Sequence, residues 1–252
     1  MPPPSATAVA AQYEADVKSI GALRGSAKGR RNITKRLEAI GTLGILAGER
    51  CLDVGCATGD YTEEIAHNFE RVDAIDVERN RLDVFRQERR LRNVVVAEMS
   101  VYSMDFEDGT FDAVTLIEVL EHLERPVDAL AQVSRVLRPG GQLFITTPNR
   151  LWPFEQHGLK VRGKKRPGYM FPGLVWLSPL HRRVSDATAF RAREIETLGA
   201  NAGLGGFTFT RIMPPMDVKG SPTLRRVFDW AERTPARVFG QTVIARMVKP
   251  QR

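Results

Sequence analysis

The sequence predicts an α/β fold: a doubly wound, mostly parallel sheet with helices on both of its faces. Short apolar runs alternate with amphipathic stretches between about residues 50 and 147, and this alternation is typical of parallel strands joined by helices. The first apolar run ends in a glycine-containing turn before a helical stretch. A chain of 252 residues is long enough for one sizeable domain with additions.

The N-terminal part is predicted to be helical. Residues from about Thr7 to Gly44 have helical character, interrupted near residues 21–29 because glycines weaken helices. We therefore expect residues 1–46 to form an N-terminal helical cap and residues 47–252 to form the main domain.

The main domain begins with a buried strand at residues 50–54, since this run is apolar and lacks alternation. The next predicted elements are a helix from Tyr61, a strand at 71–75, a helix at 79–92, strands at 93–97 and 111–117, a helix at 127–137 and a strand at 142–146. Pro139-Gly140-Gly141 separates the last helix from its strand, because proline and glycine end helices. A helix at 187–202, a strand at 207–212, a helix at 223–233 and a strand at 241–247 complete the chain.

An insertion of about residues 148–186 interrupts this alternation. It is rich in proline, glycine and basic residues and contains Trp152, Phe154, Tyr169, Phe171 and Trp176. Long irregular insertions commonly act as binding lids, and large aromatic side chains are costly to leave in water. We expect a lid rather than a loose loop.

Composition indicates a globular protein without a membrane span. The chain is 42% hydrophobic and has no apolar run of spanning length. Residues 1–5 show no basic region followed by an apolar stretch, so no secretory signal is predicted. Cys51 and Cys56 lie on a predicted strand and its turn, which favours packing over a disulfide. We expect a cytoplasmic location.

The net charge of +7 allows a nucleic acid or an anionic membrane as partner. Two basic clusters occur, one with Lys28, Arg30, Arg31, Lys35 and Arg36, the other with Lys160, Arg162, Lys164, Lys165 and Arg166, extended by Arg182 and Arg183. The first cluster has no interleaved aromatic residues, and arginines also occur throughout the C-terminal third. An arginine-rich surface is therefore the favoured interpretation over a surface that binds nucleic acid or an anionic membrane.

The turn after the first strand carries the main functional signal. Residues 52–61 read LDVGCATGDY, and Gly55 and Gly59 permit backbone angles closed to other residues and leave room for a ligand. A dinucleotide site would have the tighter pattern G-x-G-x-x-G. The pattern D-x-G-x-x-x-G resembles instead the nucleoside-binding turn of the class I S-adenosylmethionine-dependent methyltransferases.

Further segments resemble the same superfamily in the same order: residues 72–76, 109–112 and 135–141. The resemblance implies a Rossmann-like sheet of seven strands, mostly parallel, with the last strand antiparallel. It also implies S-adenosylmethionine as cofactor, held by Asp53, Gly55, Cys56, Ala57, Gly59, Asp76, Val77, Ser100, Val101, Ile117 and Glu118. Asp76 would accept hydrogen bonds from the ribose hydroxyls, and Asp53 would order the turn and the methionine end of the ligand.

The adenine end departs from the family pattern. The family usually has an acid after the third strand, whereas alignment from Phe111 places Ser100 there, with Glu98 two residues earlier. A serine hydroxyl accepts a hydrogen bond but carries no charge. Adenine recognition is therefore expected to depend on Ser100 and the backbone of Val101.

The catalytic residues are expected just beyond the fourth strand, in Glu118-Val-Leu-Glu121-His122. The spacing E-x-x-E-H resembles the metal site of small-RNA 3′-terminal 2′-O-methyltransferases and of ubiquinone-pathway O-methyltransferases. If the segment is helical, Glu118, Glu121 and His122 converge, with His157 as a further ligand and His181 as second choice. Magnesium suits such oxygen-rich ligands. In the metal-free alternative, His122 acts as base or lines the pocket, or has only a structural role.

The predicted function is S-adenosylmethionine-dependent methylation of a small-molecule or glycan-type acceptor, on oxygen. His122, Glu121 and His157 are the candidate catalytic residues, because a hydroxyl acceptor must lose a proton. One alternative is methylation of an RNA 3′ end at the 2′-oxygen, suggested by E-x-x-E-H and the positive charge. The other is a cofactor-binding protein without catalytic activity.

Overall fold

The computed structural model describes residues 27–155, 159–161, 164–177, 181, 183–185, 187–214 and 222–251. The strands are β1 (Gly48–Val54), β2 (Phe69–Asp76), β3 (Val94–Glu98), β4 (Phe111–Ile117), β5 (Leu137–Pro148), β6 (Leu159–Val161), β7 (Lys164–Arg166), β8 (Gly205–Ile212) and β9 (Thr242–Val248). The α-helices are α1 (Ala27–Gly41), α2 (Asp60–Ala66), α3 (Arg79–Glu88), α4 (Pro126–Val136), α5 (Ala192–Asn201) and α6 (Pro222–Glu232). Single 3₁₀ turns lie at Leu120–His122, Gly168–Met170, Leu174–Trp176 and Pro235–Phe239.

Seven of these strands form one sheet in the order β3-β2-β1-β4-β5-β9-β8. Strands β3, β2, β1, β4 and β5 are parallel to one another, whereas β9 runs antiparallel to both β5 and β8. The predicted doubly wound, seven-stranded sheet with one reversed strand is confirmed. Because the order changes direction at β1 and β4, a crevice opens at their carboxyl ends.

The core lies on both faces of the central strands. All seven residues of β4 are buried, as are the last four of β1, which is typical of a parallel sheet covered on both sides. Strand β3 at the edge has no buried residue. Cys51 and Cys56 are buried free thiols, so the prediction that they serve packing is confirmed.

Three predicted boundaries were wrong. Helix α3 ends at Glu88 rather than residue 92, because Arg89 adopts extended angles and its guanidinium returns to Asp60 at 2.8 Å. Helix α5 begins at Ala192 rather than residue 187, where the Glu194 carboxylate accepts the backbone N–H of Arg191 at 2.7 Å. The predicted separator 139–141 lies within β5 and appears as a register shift, since Phe111 pairs with Leu137 but Ala113 pairs with Gln142.

Helix α1, the described part of the predicted N-terminal cap, packs against one end of the sheet. It packs against β8 and β9, and the Lys35 ammonium lies 2.5 Å from the Glu232 carboxylate of α6. The remainder of the predicted cap, residues 1–26, lies outside the described residues. The division at residue 46 stays a prediction.

The insertion leaves the sheet at the end of β5, the edge at which the crevice opens. Its described parts are the antiparallel hairpin β6-β7 and two 3₁₀ turns. Three of its aromatic side chains, Phe154, Phe171 and Trp176, are 39%, 39% and 55% exposed, and the lid stays a prediction. None of the described helices is long and apolar enough to cross a membrane.

Candidate active site

A cleft of about 540 Å³ lies at the carboxyl ends of β1, β2, β3 and β4. Its lining residues are Val54, Gly55, Asp76, Val77, Glu78, Arg81, Met99, Ser100, Val101, Tyr102, Glu118, Val119, His122, Leu123 and Glu124. Seven of the residues predicted from the sequence therefore share one cavity: Gly55, Asp76, Val77, Ser100, Val101, Glu118 and His122. None of the lining residues belongs to the described part of the insertion.

Asp76 holds the glycine turn in place. Its Oδ2 accepts the backbone N–H of Ala57 at 2.9 Å, and its Oδ1 accepts that of Glu78 at 2.8 Å. The side chain is 8% exposed and lines the cleft. A carboxylate oxygen accepts more than one hydrogen bond, so both oxygens retain capacity for a pair of ligand hydroxyls.

Asp53 has a structural position behind the turn rather than on the cleft surface. It is 2% exposed, and its two oxygens accept the hydroxyls of Thr62 at 2.6 Å and Thr115 at 2.7 Å. These bonds connect β1 to α2 and β4. Burial raises the pKa of Asp53 from 3.8 to about 6, although the two hydroxyl bonds oppose the shift.

The raised pKa of Asp53 predicts a pH-dependent loss of stability. Because the folded chain binds the proton more tightly than the unfolded chain, the contribution is largest below pH 4 and disappears as pH rises through about 6. Relative to Asp53→Asn, the wild type should lose about 2 kcal/mol of unfolding free energy between about pH 4.5 and pH 7. Urea unfolding of both proteins at the two pH values checks this. A constant difference would contradict it.

The two turn glycines serve different purposes. Gly55 has φ of 74°, and a Cβ there would lie 2.4 Å from Cγ2 of Val119, which lines the cleft. Gly59 has φ of 81°, and its Cβ would lie 2.6 Å from the Phe85 ring of α3. Gly55 therefore keeps the cleft floor open, whereas Phe85 occupies the space beside Gly59; the contact of Gly59 with the cofactor stays a prediction.

Gly55→Ala should weaken cofactor binding about tenfold, roughly 1.4 kcal/mol, because the new methyl group narrows the cleft beside Val119. Gly109→Ala is the matched control for backbone strain: its φ is 69°, and its Cβ would meet nothing closer than 3.8 Å. Calorimetry with S-adenosylmethionine and thermal unfolding of each variant measure the two effects separately.

Adding Val119→Ala to Gly55→Ala distinguishes two effects of the new methyl group. One is its steric clash with the Val119 side chain, and the other is the loss of cleft volume available to the cofactor. The double variant should regain the thermal midpoint of Gly109→Ala, since the 2.4 Å contact is gone. Its cofactor affinity should nevertheless stay below that of Val119→Ala alone. Equal affinities would show that the cofactor does not lie against Gly55.

The remaining turn and strand residues divide between cleft and core. Val77 is 65% exposed on the cleft wall, while Cys56 and Ile117 are buried in the apolar core. The Ala57 N–H donates to Asp76, and Ala57 has a positive φ of 49°. Ala57 thus acts through its backbone, and Cys56 and Ile117 support the cleft from below.

Ser100, which the sequence predicts to contact adenine, already has hydrogen bonds within the chain. Its Oγ accepts the backbone N–H of Tyr102 at 3.2 Å, and its carbonyl accepts that of Ser103 at 3.1 Å. Met99, Val101 and Tyr102 supply apolar surface around it. Glu98, the nearby acid in the sequence, is exposed at the end of β3 and is not among the lining residues.

Glu118 lines the cleft and contacts residues of β5 and α1. Its Oε1 accepts the hydroxyl of Thr146 at 2.9 Å, and its Oε2 lies 3.3 Å from the Arg36 guanidinium. Arg36 also donates to the Tyr61 hydroxyl at 3.2 Å. Burial opposes the charge of Arg36, but Glu118 and Tyr61 raise its pKa above the ordinary value.

Glu121 and His122 lie side by side in sequence but in different environments. Glu121 is 2% exposed, and its Oε2 accepts the Thr147 hydroxyl at 3.1 Å. Burial, reinforced by Glu118, raises the pKa of Glu121 well above its ordinary range. His122 is exposed and lines the cleft. Glu121 is not among the lining residues of the cleft, and its catalytic role stays a prediction.

The predicted convergence of Glu118, Glu121 and His122 on one metal ion was wrong. Convergence requires a helix, but the segment forms one 3₁₀ turn that begins after Glu118, whose φ is 57°. Within the described ranges, no group of three His, Cys, Asp or Glu residues is placed to hold a metal ion. The residues described here do not fit magnesium, and His157 lies outside them.

His181, the second choice as metal ligand, has another partner. It is buried in the insertion, where its Nε2 contacts Oε2 of the buried Glu155. Neither residue lines the cleft. The pair connects two parts of the insertion.

Sequence patterns missed several contributors to the site. Arg36 and Tyr61 lie before and after the glycine turn, and only the packing of α1 against the sheet brings Arg36 to Glu118. Arg81, Tyr102 and Glu124 line the cleft without belonging to a motif. Arg36 does occur in the first basic cluster, but nothing in the spacing distinguishes it from its neighbours.

Comparison with known proteins supports the identity suggested by this cleft. A family described as a methyltransferase domain matches residues 52–145. The ubiquinone biosynthesis O-methyltransferase of Nitrosococcus oceani is 36% identical over 118 residues, which are 46% of this chain and 50% of that protein. The chain thus spans about half the length of the curated relatives it matches.

Solved structures with the same fold are more distant in sequence. A methyltransferase of Thermotoga maritima, named a possible histamine N-methyltransferase, has a TM-score of 0.63 at 15% identity and covers 94% of this chain and 96% of that chain. Phosphoethanolamine N-methyltransferase 2 of Haemonchus contortus, in complex with S-adenosylmethionine, has a TM-score of 0.58 at 18% identity, with coverage of 86% and 53%. These two likenesses show the fold alone. The family match spans the glycine turn and the strands that form the cleft, so residues 52–145 are similar to a methyltransferase domain in both sequence and fold.

Proposed function

We propose that this chain transfers a methyl group from S-adenosylmethionine to an oxygen atom of a small-molecule or glycan-type acceptor. The observation that carries the proposal is the single cleft in which Gly55, Asp76 and His122 meet. These residues come from the ends of three different strands, where ligands of doubly wound sheets bind. The ubiquinone-pathway relatives are named O-methyltransferases, which agrees with an oxygen acceptor.

The cofactor fits the cleft by the chemistry of its lining. Asp76 offers carboxylate oxygens to the two ribose hydroxyls, while Met99 and Val101 provide an apolar surface for the adenine ring. The open floor at Gly55 lets a ligand approach the backbone. The ion pair of Arg36 and Glu118 supplies one charge of each sign for the carboxylate and amino group of the methionine end.

When bound, S-adenosylmethionine supplies an electrophilic methyl group on a positively charged sulfur. The chain's own contribution is to orient the acceptor and to remove its proton. His122 lies on the cleft surface, so one of its ring nitrogens can take the proton that an acceptor hydroxyl loses. Glu121 is a positioning residue in this proposal: its carbonyl accepts the N–H of Thr188 at 2.9 Å, which fixes the turn that presents His122.

The insertion, residues 148–186, is proposed to border the acceptor side of the cleft. It starts at the end of β5, and the segment that follows it, at Thr188, is bonded to Glu121 beside His122. We keep the division into an N-terminal cap and a main domain as part of this proposal.

Incubation with methyl-labelled S-adenosylmethionine tests the proposed acceptor class. Lysate is separated into a small-molecule and glycan pool and an RNA pool, and each is added to the purified chain. Label should enter the first pool and depend on His122. Label confined to RNA 3′ ends would replace the proposal with RNA methylation, and cofactor binding without transfer to any pool would favour a non-catalytic binding protein.

A further inference from the structure

The exposed apolar side chains of the described residues are concentrated in two segments. Eight of the eleven large apolar side chains that are exposed lie within residues 154–177 and 227–239. They are Phe154, Met170, Phe171, Trp176, Leu177, Val227, Trp230 and Phe239, called here the apolar face. Trp176 is 55% exposed and Trp230 is 63% exposed, which is unusual for tryptophan.

The two segments are joined by direct contacts. The Trp152 ring lies 5.6 Å from the Phe154 ring and 6.5 Å from the ring of Phe228 on α6. The backbone N–H of Gly173 donates to the Pro153 carbonyl at 2.6 Å, which brings the turn with Trp176 to the same place. Contiguous exposed apolar surface of this kind marks an interaction site.

The sequence around the apolar face is strongly basic. Between residues 156 and 185 there are seven Lys or Arg residues and no Asp or Glu, so this stretch carries +7, equal to the net charge of the whole chain. Residues 222–240 add four arginines against two carboxylates. One of the two, Glu232, is paired with Lys35 of α1.

Several exposed arginines lie beside the apolar face. Arg166, Arg226, Arg233 and Arg237 are exposed, and none forms an ion pair with another described residue. Arg237 also faces Arg211, and burial together with the charge of Arg237 lowers the pKa of Arg211. Within the described residues, positive charge therefore exceeds negative charge beside the apolar face.

We propose that the apolar face docks on an anionic lipid surface. Tryptophan with basic residues around it is the typical composition of a protein surface that lies in the headgroup region, and exposed arginines attract anionic headgroups. The aliphatic side chains Met170, Leu177 and Val227 favour lipid over RNA. Nucleobases bind by stacking on aromatic rings, and aliphatic side chains have no ring on which a base could stack. Docking would place the insertion, which leaves the sheet at the cleft edge, against the lipid.

Vesicle flotation of the full chain tests this proposal independently of any transferase activity. The chain should float with phosphatidylcholine vesicles that contain phosphatidylglycerol, should float poorly with phosphatidylcholine alone, and should be released by high salt. Trp176→Ser with Leu177→Ser should weaken flotation roughly tenfold, since two exposed anchors are lost. Trp230→Ser provides a second, independent variant on α6.

Ile45→Ser is the matched control, because Ile45 is 75% exposed but lies outside the apolar face; it should float like the wild type. Thermal unfolding establishes that each variant is folded. The proposal is overturned if the wild type does not float with anionic vesicles, or if both folded variants float as it does. It is also overturned if filter binding shows retention of single-stranded RNA and flotation shows no lipid binding.

Discussion

Asp76→Ala should weaken S-adenosylmethionine binding about 100-fold in calorimetry. The side chain accepts two backbone N–H groups that shape the cleft, from Ala57 and Glu78, and it is the proposed acceptor for the ribose hydroxyls. Hydrogen bonds to a charged group contribute about 1.5–3 kcal/mol each, and two lost ligand bonds correspond to about two orders of magnitude. Asp76→Asn keeps one acceptor oxygen and should fall between the variant and the wild type.

Asp73→Ala is the control for a general weakening of β2. Asp73 lies on the same strand and is 3% exposed, but it pairs with Arg50 and Arg71 away from the cleft. Its loss should lower the free energy of unfolding and leave cofactor affinity nearly unchanged. Unchanged affinity in Asp76→Ala, or equal losses in both variants, would remove Asp76 from the cofactor site.

His122→Ala should lower turnover about 100-fold or more, which is the typical contribution of a general base. Cofactor affinity should change less than about threefold, because the imidazole is proposed to face the acceptor. Single-turnover kinetics and calorimetry on the same preparation measure the two quantities. His67→Ala is the matched control, since His67 is an exposed histidine at the end of α2 and is not a lining residue.

Equal losses of turnover and cofactor affinity in His122→Ala would assign His122 a structural role. A His122 variant that keeps full turnover would indicate an acceptor atom whose lone pair is available without removal of a proton by a base, such as the nitrogen of a neutral amine. Either result would overturn the proposed proton transfer. The proposal for the lipid surface would be unaffected, since flotation does not depend on turnover.

The sheet and the cofactor turn were predictable because their signals are local. The buried runs of β1 and β4, the glycines and the acid that ends β2 each specify backbone geometry within a few residues. Gly55 and Asp76 were found in this way, and the cleft brings them together. The close approach of Phe85 to Gly59 was not predictable from local sequence, because Phe85 lies in another helix.

The position of the candidate catalytic segment was predictable from the sequence, but its backbone conformation was not. Glu118, Glu121 and His122 lie in the predicted segment, yet this segment forms a 3₁₀ turn after a positive φ at Glu118 and, within the described residues, makes no metal-binding group. A pattern of residue types does not distinguish an α-helix from a single tight turn of three residues. Arg36 depends on the packing of α1 against the sheet, a long-range contact that no spacing reports.

The exposure of the aromatic side chains in the insertion differs from what its composition indicated. Its aromatic residues indicated a binding lid because exposure is costly, but several of them are exposed among the described residues. An external surface that covers them resolves the conflict, and the basic charge of the same stretch indicates that this surface is anionic. Acceptors that partition into lipid would then reach the cleft from the membrane side.

Nuclear magnetic resonance of the transferred methyl group tests the central claim most directly. The chain is incubated with S-adenosylmethionine carrying a carbon-13 methyl group and with the small-molecule and glycan pool, and the carbon spectrum distinguishes methoxy from N-methyl and S-methyl products. A new methoxy resonance that is absent with Asp76→Ala and His122→Ala is the predicted result. An N-methyl or S-methyl resonance, or a methoxy resonance that persists in His122→Ala, would contradict the account.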